Sequence, residues 1–275
     1  MKKEIKLIFK IILIIITSII IGYILHLFFM TFLKRTDSKY LTNVLVNGGL
    51  IIYFILLIKK EALAQPLGLN KVWKMDHFTA FMVPLLLFGI FFIPKLYSFF
   101  EIHFLIVIAF IFKCILVGTL EELMFRGLLL SLIVKLNRMR NNSIFIGVLI
   151  SSVLFSLAHF INLFEKPLTM TTISLVTSQV ILAFCFGVFL CGVFFRTGNI
   201  ICCIVLHAFF NLTFESEFIN KSMNIKVNEE AHVVTSFYDL LPTLIIFSIF
   251  LISGILMIKY SNTKEFINKL TNELN

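Results

Sequence analysis

Charge is scarce in this chain: Asp, Glu, Lys and Arg make up 14% of its residues, against 59% that are hydrophobic, and the mean hydropathy is +1.01. That balance excludes a soluble globular domain. Aspartate is scarcer still, with only Asp37, Asp76 and Asp239 and no GxGD stretch, and no GxSG-like nucleophile stretch or HExxH helix occurs. The five cysteines, Cys114, Cys185, Cys191, Cys202 and Cys203, lie in apolar segments without CxxC spacing. They read as small packing residues, which excludes a disulfide or zinc-finger framework. No solenoid period or low-complexity tract is present, and the loops are short.

What is present is apolar sequence in runs long enough to cross a hydrocarbon core of about 30 Å. Such runs occur at 7–33, 41–58, 78–93, 102–120, 143–162, 172–195, 199–213 and 237–258, the 199–213 run being short. The sequence therefore predicts an all-α, polytopic membrane helical bundle of about eight transmembrane helices, a single integral-membrane domain over 1–275. The first run follows Lys2, Lys3 and Lys6 but is too long for a signal peptide and lacks a small-x-small cleavage site, so it is expected to remain as an anchor. With the N-terminus inside, fifteen Lys and Arg fall on the cytoplasmic side and seven on the other. This asymmetry predicts both termini in the cytoplasm of a multi-pass protein of the cell membrane. It also accounts for most of the +9 net charge without nucleic acid as a partner; the lipid bilayer is the partner the composition implies.

Two segments between the runs stand out. The polar stretch 214–235 reads as a solvated loop, with a substrate-gating lid as the other reading. Residues 59–76, with Pro66, Gly68 and Trp73, are expected to form a cytoplasmic loop or an interfacial helix. Within the runs, Ala183, Gly187 and Cys191 recur every fourth residue, a spacing that lets another helix approach closely. Gly118 and Gly127 either do the same or loosen the helix between them.

The informative residues are polar ones at depth. Each charge near a bilayer centre costs a few kcal/mol on insertion scales, about 2.5–3.5, yet G118-T-L-E-E-L-M-F-R-G127 carries three. Glu122 and Arg126 are four apart in the favourable order on a helix, so they can neutralise each other. Glu121 points away from Arg126 and has another carboxylate as its sequence neighbour. It reads either as a protonated packing residue or as a carboxyl tuned to act as a general base. F155-S-L-A-H159 puts a histidine at the end of an apolar run, and H207-A-F-F-N211 puts His and Asn on one helix face. Each taken alone fits a helix-packing hydrogen bond; together they fit convergence on one water-filled cavity with a base and oxyanion donors, the parts needed for amide hydrolysis. His26 reads as packing, and Lys113 as snorkelling or internally partnered.

In order and type, E121-E-L-M-F-R126, F155-S-L-A-H159 and H207-A-F-F-N211 resemble the EExxxR, FxxxH and HxxxN motifs of the CAAX protease and bacteriocin-processing (CPBP, Abi) family of intramembrane glutamic endopeptidases. T197-G-N199, entering the last motif helix, is similar too, although Cys203 stands where the family often has proline. The resemblance covers about 100–215. It implies an eight-helix fold similar to the type II CAAX prenyl endopeptidase and a peptidase of membrane-associated peptide or protein substrates. Carried over, Glu121 would be the general base, His159 would position and activate water, His207 and Asn211 would form the oxyanion hole, and Glu122 and Arg126 would support them. No cofactor is implied, zinc being the lesser alternative. The rival readings are a non-catalytic bacteriocin self-immunity or regulatory scaffold and a proton-coupled transporter, the latter without any visible inverted repeat.

Overall fold

The computed structural model describes residues 2–33, 38–69, 102–164, 167–214 and 237–272, with scattered residues between 81 and 100. Among these residues every regular element is a helix: α1 (Lys2–Leu33), α2 (Ser38–Lys60), α3 (Phe104–Glu122), a π-helical segment (Leu123–Leu130), α4 (Ser131–Leu136), α5 (Ser143–Ala158), a 3-10 segment (His159–Phe164), α6 (Met170–Thr197), α7 (Ile200–Phe214), α8 (Phe237–Lys259) and α9 (Thr263–Asn272). Five helices are long and apolar enough to cross a membrane, and a sixth span arises if α8 and α9, bent by 71°, are taken together. The chain is thus a polytopic membrane helical bundle. The expected run at 78–93 lies largely outside the described residues, as does 215–235, so the expectations for those stretches fall there too. The run at 199–213 forms a helix of only 15 residues.

The run expected at 102–120 extends much further. α3, the π segment and α4 form one span from Phe104 to Leu136, because Leu123–Leu130 continue the apolar character past the glutamates. The wider π turns release carbonyls from the usual ladder. Side chains meet them: the Ser131 hydroxyl donates to the Arg126 carbonyl at 3.1 Å, and the Ser151 hydroxyl to the Phe125 carbonyl at 2.9 Å. Local helix widening thereby comes next to Arg126 without leaving those two acceptors bare.

α6 runs through the middle of the bundle, with Phe189, Leu190, Cys191 and Val193 wholly buried. Its ends are defined chemically. The Thr169 hydroxyl accepts from the Thr172 N–H at 3.1 Å, and Gly198, with φ +58, closes the helix by donating to the Phe194 carbonyl at 2.7 Å. Asn199 then caps α7, its Oδ1 accepting from the Ile201 N–H at 2.8 Å. This tight reversal turns α7 back alongside α6 and sets the height of His207. Gly198 also meets Gly68, itself at φ +65; a Cβ on Gly68 would sit 1.7 Å from the Gly198 carbonyl oxygen, so no other residue fits. Of the segment 59–76, expected as a loop or an interfacial helix, residues 59–69 are packed, with Leu63, Pro66 and Leu67 buried around a short 3-10 turn, while 70–76, Trp73 among them, lie outside the described residues.

The small residues act as the four-residue spacing predicts. A Cβ on Gly187 would lie 3.1 Å from Ser152 Cβ, and Cys191 Sγ is 4.0 Å from the Ser152 hydroxyl, so α5 seats against this stripe. Gly118 brings α3 against α7: its Cβ would be 3.1 Å from the Ala208 backbone nitrogen and 3.3 Å from the Ile204 carbonyl oxygen. Because those atoms are backbone and cannot rotate away, Gly118→Val is expected to destabilise the protein by about 1–3 kcal/mol through overpacking. The check is the midpoint of thermal unfolding in detergent, with Gly48→Ala, which has open space around its Cβ, as the neutral comparison. Gly127 likewise packs closely, against Ile58, Ile200 and Leu67.

Candidate active site

The three motif helices bring their polar residues together. Glu122 and Arg126 are both fully buried, and the guanidinium donates to Glu122 Oε1 at 2.8 Å, as the four-residue spacing predicts. Arg126 also donates to the Gly187 carbonyl at 3.1 Å and lies 4.6 Å from the centroid of the Phe155 ring. A buried cation is tolerable when it is paired and hydrogen-bonded in this way.

His207 supplies a connection that spacing arguments missed. Its Nδ1 is 2.7 Å from Glu122 Oε1, and its Nε2 is 3.3 Å from Glu121 Oε2. The carboxylate that ties Arg126 thus also orients the imidazole, and Glu121 has a nitrogen partner in place of the lone carboxylate neighbour that the sequence suggested. The two glutamates are thus faced by the Arg126 guanidinium and by both ring nitrogens of His207. The ring is held edge-on between Phe155 and Phe186, at 5.7 and 5.5 Å with interplanar angles of 89°. Phenyl walls exclude water on those sides and fix the tilt.

His159 caps α5, with Nδ1 3.0 Å from the Phe155 carbonyl. A carbonyl can only accept, so Nδ1 carries a proton, and in the neutral ring Nε2 keeps a lone pair for another donor. Glu121, His159, His207 and Asn211 all line one cavity of about 500 Å³. Its lining also includes apolar side chains such as Val117, Phe155, Leu182 and Phe186, and the polar Asn162, Ser178 and Gln179. Asn162 donates to Gln179 Oε1 at 2.9 Å, linking the 3-10 segment to α6. Glu122 and Arg126 stand behind His207, out of that lining. Nothing in the sequence marked Asn162, Ser178 or Gln179, because polar residues near helix ends are common. His26 is half-buried in α1, away from this lining, and Lys113 is half-buried and engaged with its neighbours.

Among the described residues no three His, Cys, Asp or Glu side chains are grouped so as to hold a metal ion. The donors nearest to one another are already committed: the Glu122 carboxylate and His207 Nδ1 face each other beside the Arg126 cation. A fixed cation there opposes a second one.

Residues 103–213 match the family model for the type II CAAX prenyl endopeptidase Rce1-like proteins. The match spans all three motifs and falls on the family that they resemble. Neither a curated protein nor a solved structure gives a match. Over this stretch, less than half of the chain, the protein is thus similar to a family of CAAX-type peptidases, and the stretch is set in a bundle of helices apolar enough to cross a membrane.

Proposed function

We propose that the chain is an intramembrane endopeptidase of the cell membrane that hydrolyses a peptide bond of a membrane-associated substrate with a water molecule activated by Glu121. The observation that carries this is the joint presence of Glu121, His159, His207 and Asn211 on one cavity, with His207 held between the two glutamates. Glu121 and His159 Nε2 take the water between them, and Glu121 accepts its proton as the hydroxide oxygen adds to the carbonyl carbon. Protonation of Glu121 weakens its hold on the Nε2–H of His207, which is then available, with the Asn211 amide, to the oxyanion. Glu121 returns the proton to the leaving nitrogen as the C–N bond breaks, so one water is consumed and the base is regenerated.

Glu122 and Arg126 are positioning residues here: the Glu122 carboxylate fixes the ring of His207, and Arg126 holds that carboxylate in place. The chemistry assigned to the site is metal-free. The purified protein in detergent should cleave at least one member of a panel of membrane peptides, including leader and pheromone-precursor types, and cleavage should persist with a strong chelator. Loss of cleavage on chelation, restored by zinc, would replace the glutamate mechanism by a metal-dependent one. A folded protein that cleaves no peptide would favour the binding or immunity role.

A further inference from the structure

Among the described residues, the basic side chains outside the spans gather at one end of the bundle. Lys10 of α1 pairs with Glu61 beyond the end of α2, and Lys135 of α4 donates to the Glu61 carbonyl at 2.6 Å. Arg138 and Arg140 are exposed in the turn that follows, and Arg196, at the end of α6, donates to the Tyr260 carbonyl at 3.1 Å. α9, bearing Lys264 and Lys269, folds across this end, with Phe266 5.5 Å from Phe194 and 5.0 Å from Phe195. These contacts tie together, as one physical face, segments that the sequence only counted as a set.

The residues that line the cavity sit toward the opposite end. α5 rises from the Arg138–Arg140 turn and contributes to the lining only Phe155 and Ala158 in its last turn, with His159 beyond it. Its 16 residues separate the two levels by about 24 Å at about 1.5 Å each. α7, which starts at the basic end, lines the cavity only from His207 to Phe214. α6, which runs toward the basic end, lines it from Ser178 to Phe186 and not in its last eleven residues. Asn162, in the 3-10 segment beyond α5, and Ser178 and Gln179, the first residues of α6 to line the cavity, are its lining residues toward the far end. Basic flanks face the cytoplasm.

We infer that the cavity opens on the extracytoplasmic side of the membrane, so that its substrates are peptide segments presented there rather than cytosolic chain ends. The sidedness stands on its own; the word substrate rests on the peptidase reading above.

Met139 and Leu168 report the two ends, being 90% and 73% exposed on opposite sides of α5. The five native cysteines are buried, so the unsubstituted chain serves as the blank. In intact cells a membrane-impermeant maleimide should label Leu168→Cys, or Met170→Cys as a second reporter at that end, and should label Met139→Cys only after permeabilisation. Labelling of Met139→Cys in intact cells, or of Leu168→Cys and Met170→Cys only after permeabilisation, would overturn the inference. A charged, impermeant peptide added to sealed spheroplasts should be cut in a Glu121-dependent way without permeabilisation. Cutting only after permeabilisation would also overturn it. No Glu121-dependent cutting in either state would count against the peptidase reading, and the labelling pattern would then decide the sidedness alone.

Discussion

Glu121→Gln is expected to lower kcat for peptide cleavage by about 10²–10⁴-fold, the usual contribution of a general base, while KM and the thermal midpoint change little. The size of the effect follows from position. Glu121 lines the cavity and is about a quarter exposed, whereas Glu122 is wholly buried behind His207. The amide keeps the shape and can still face His207 Nε2 through its oxygen, so the protein should fold and insert. It cannot accept the water's proton at neutral pH. Steady-state kinetics beside a thermal melt separate these two consequences; a fall in kcat accompanied by loss of folded protein would assign Glu121 to structure instead.

Arg126→Met is expected to act in the opposite sense, on stability first. It leaves the Glu122 carboxylate buried without its cation, and breaking a buried pair on one side costs about 3–5 kcal/mol. Arg126→Lys should recover only part of this. An ammonium is a point charge and does not reproduce the planar fork that reaches Glu122 and the Gly187 carbonyl while lying against Phe155. Replacing both partners, Glu122→Leu with Arg126→Met, removes the unpaired charge and should restore much of the thermal midpoint. Cleavage should stay low in that double variant, because His207 Nδ1 has lost the carboxylate 2.7 Å away that orients it. Stability that recovers without activity is the signature of a positioning role; recovery of both would make the pair dispensable.

How much of this could be read in the sequence depends on the range of each contact. The Glu122–Arg126 pair was legible because helical geometry alone decides whether residues four apart meet. The shared face of His207 and Asn211 and the seating of α5 on the Ala183–Gly187–Cys191 stripe were legible for the same reason. The contact of His207 with both glutamates was not. It joins His207 to Glu122, 85 positions away, and to the residue before it, and it depends on how closely α3 and α7 approach at Gly118, which no local rule reports. The continuous span from Phe104 to Leu136 was also hidden, since the charges of Glu121, Glu122 and Arg126 interrupt an apolar run that the π segment in fact carries through. α9 shows a different limit. Its amphipathic pattern is plain, yet only the tertiary structure shows that Phe266 and Leu270 close the basic end of the bundle.

The measurement that tests the central claim most directly is mass spectrometry of a peptide incubated with the purified protein in ¹⁸O-labelled water, beside the same preparation of Glu121→Gln. The wild type should release two fragments whose new carboxyl terminus carries ¹⁸O, and Glu121→Gln should leave the peptide intact. A peptide left intact by the folded wild type, or cut equally well by Glu121→Gln, would contradict a glutamate-activated water at this site.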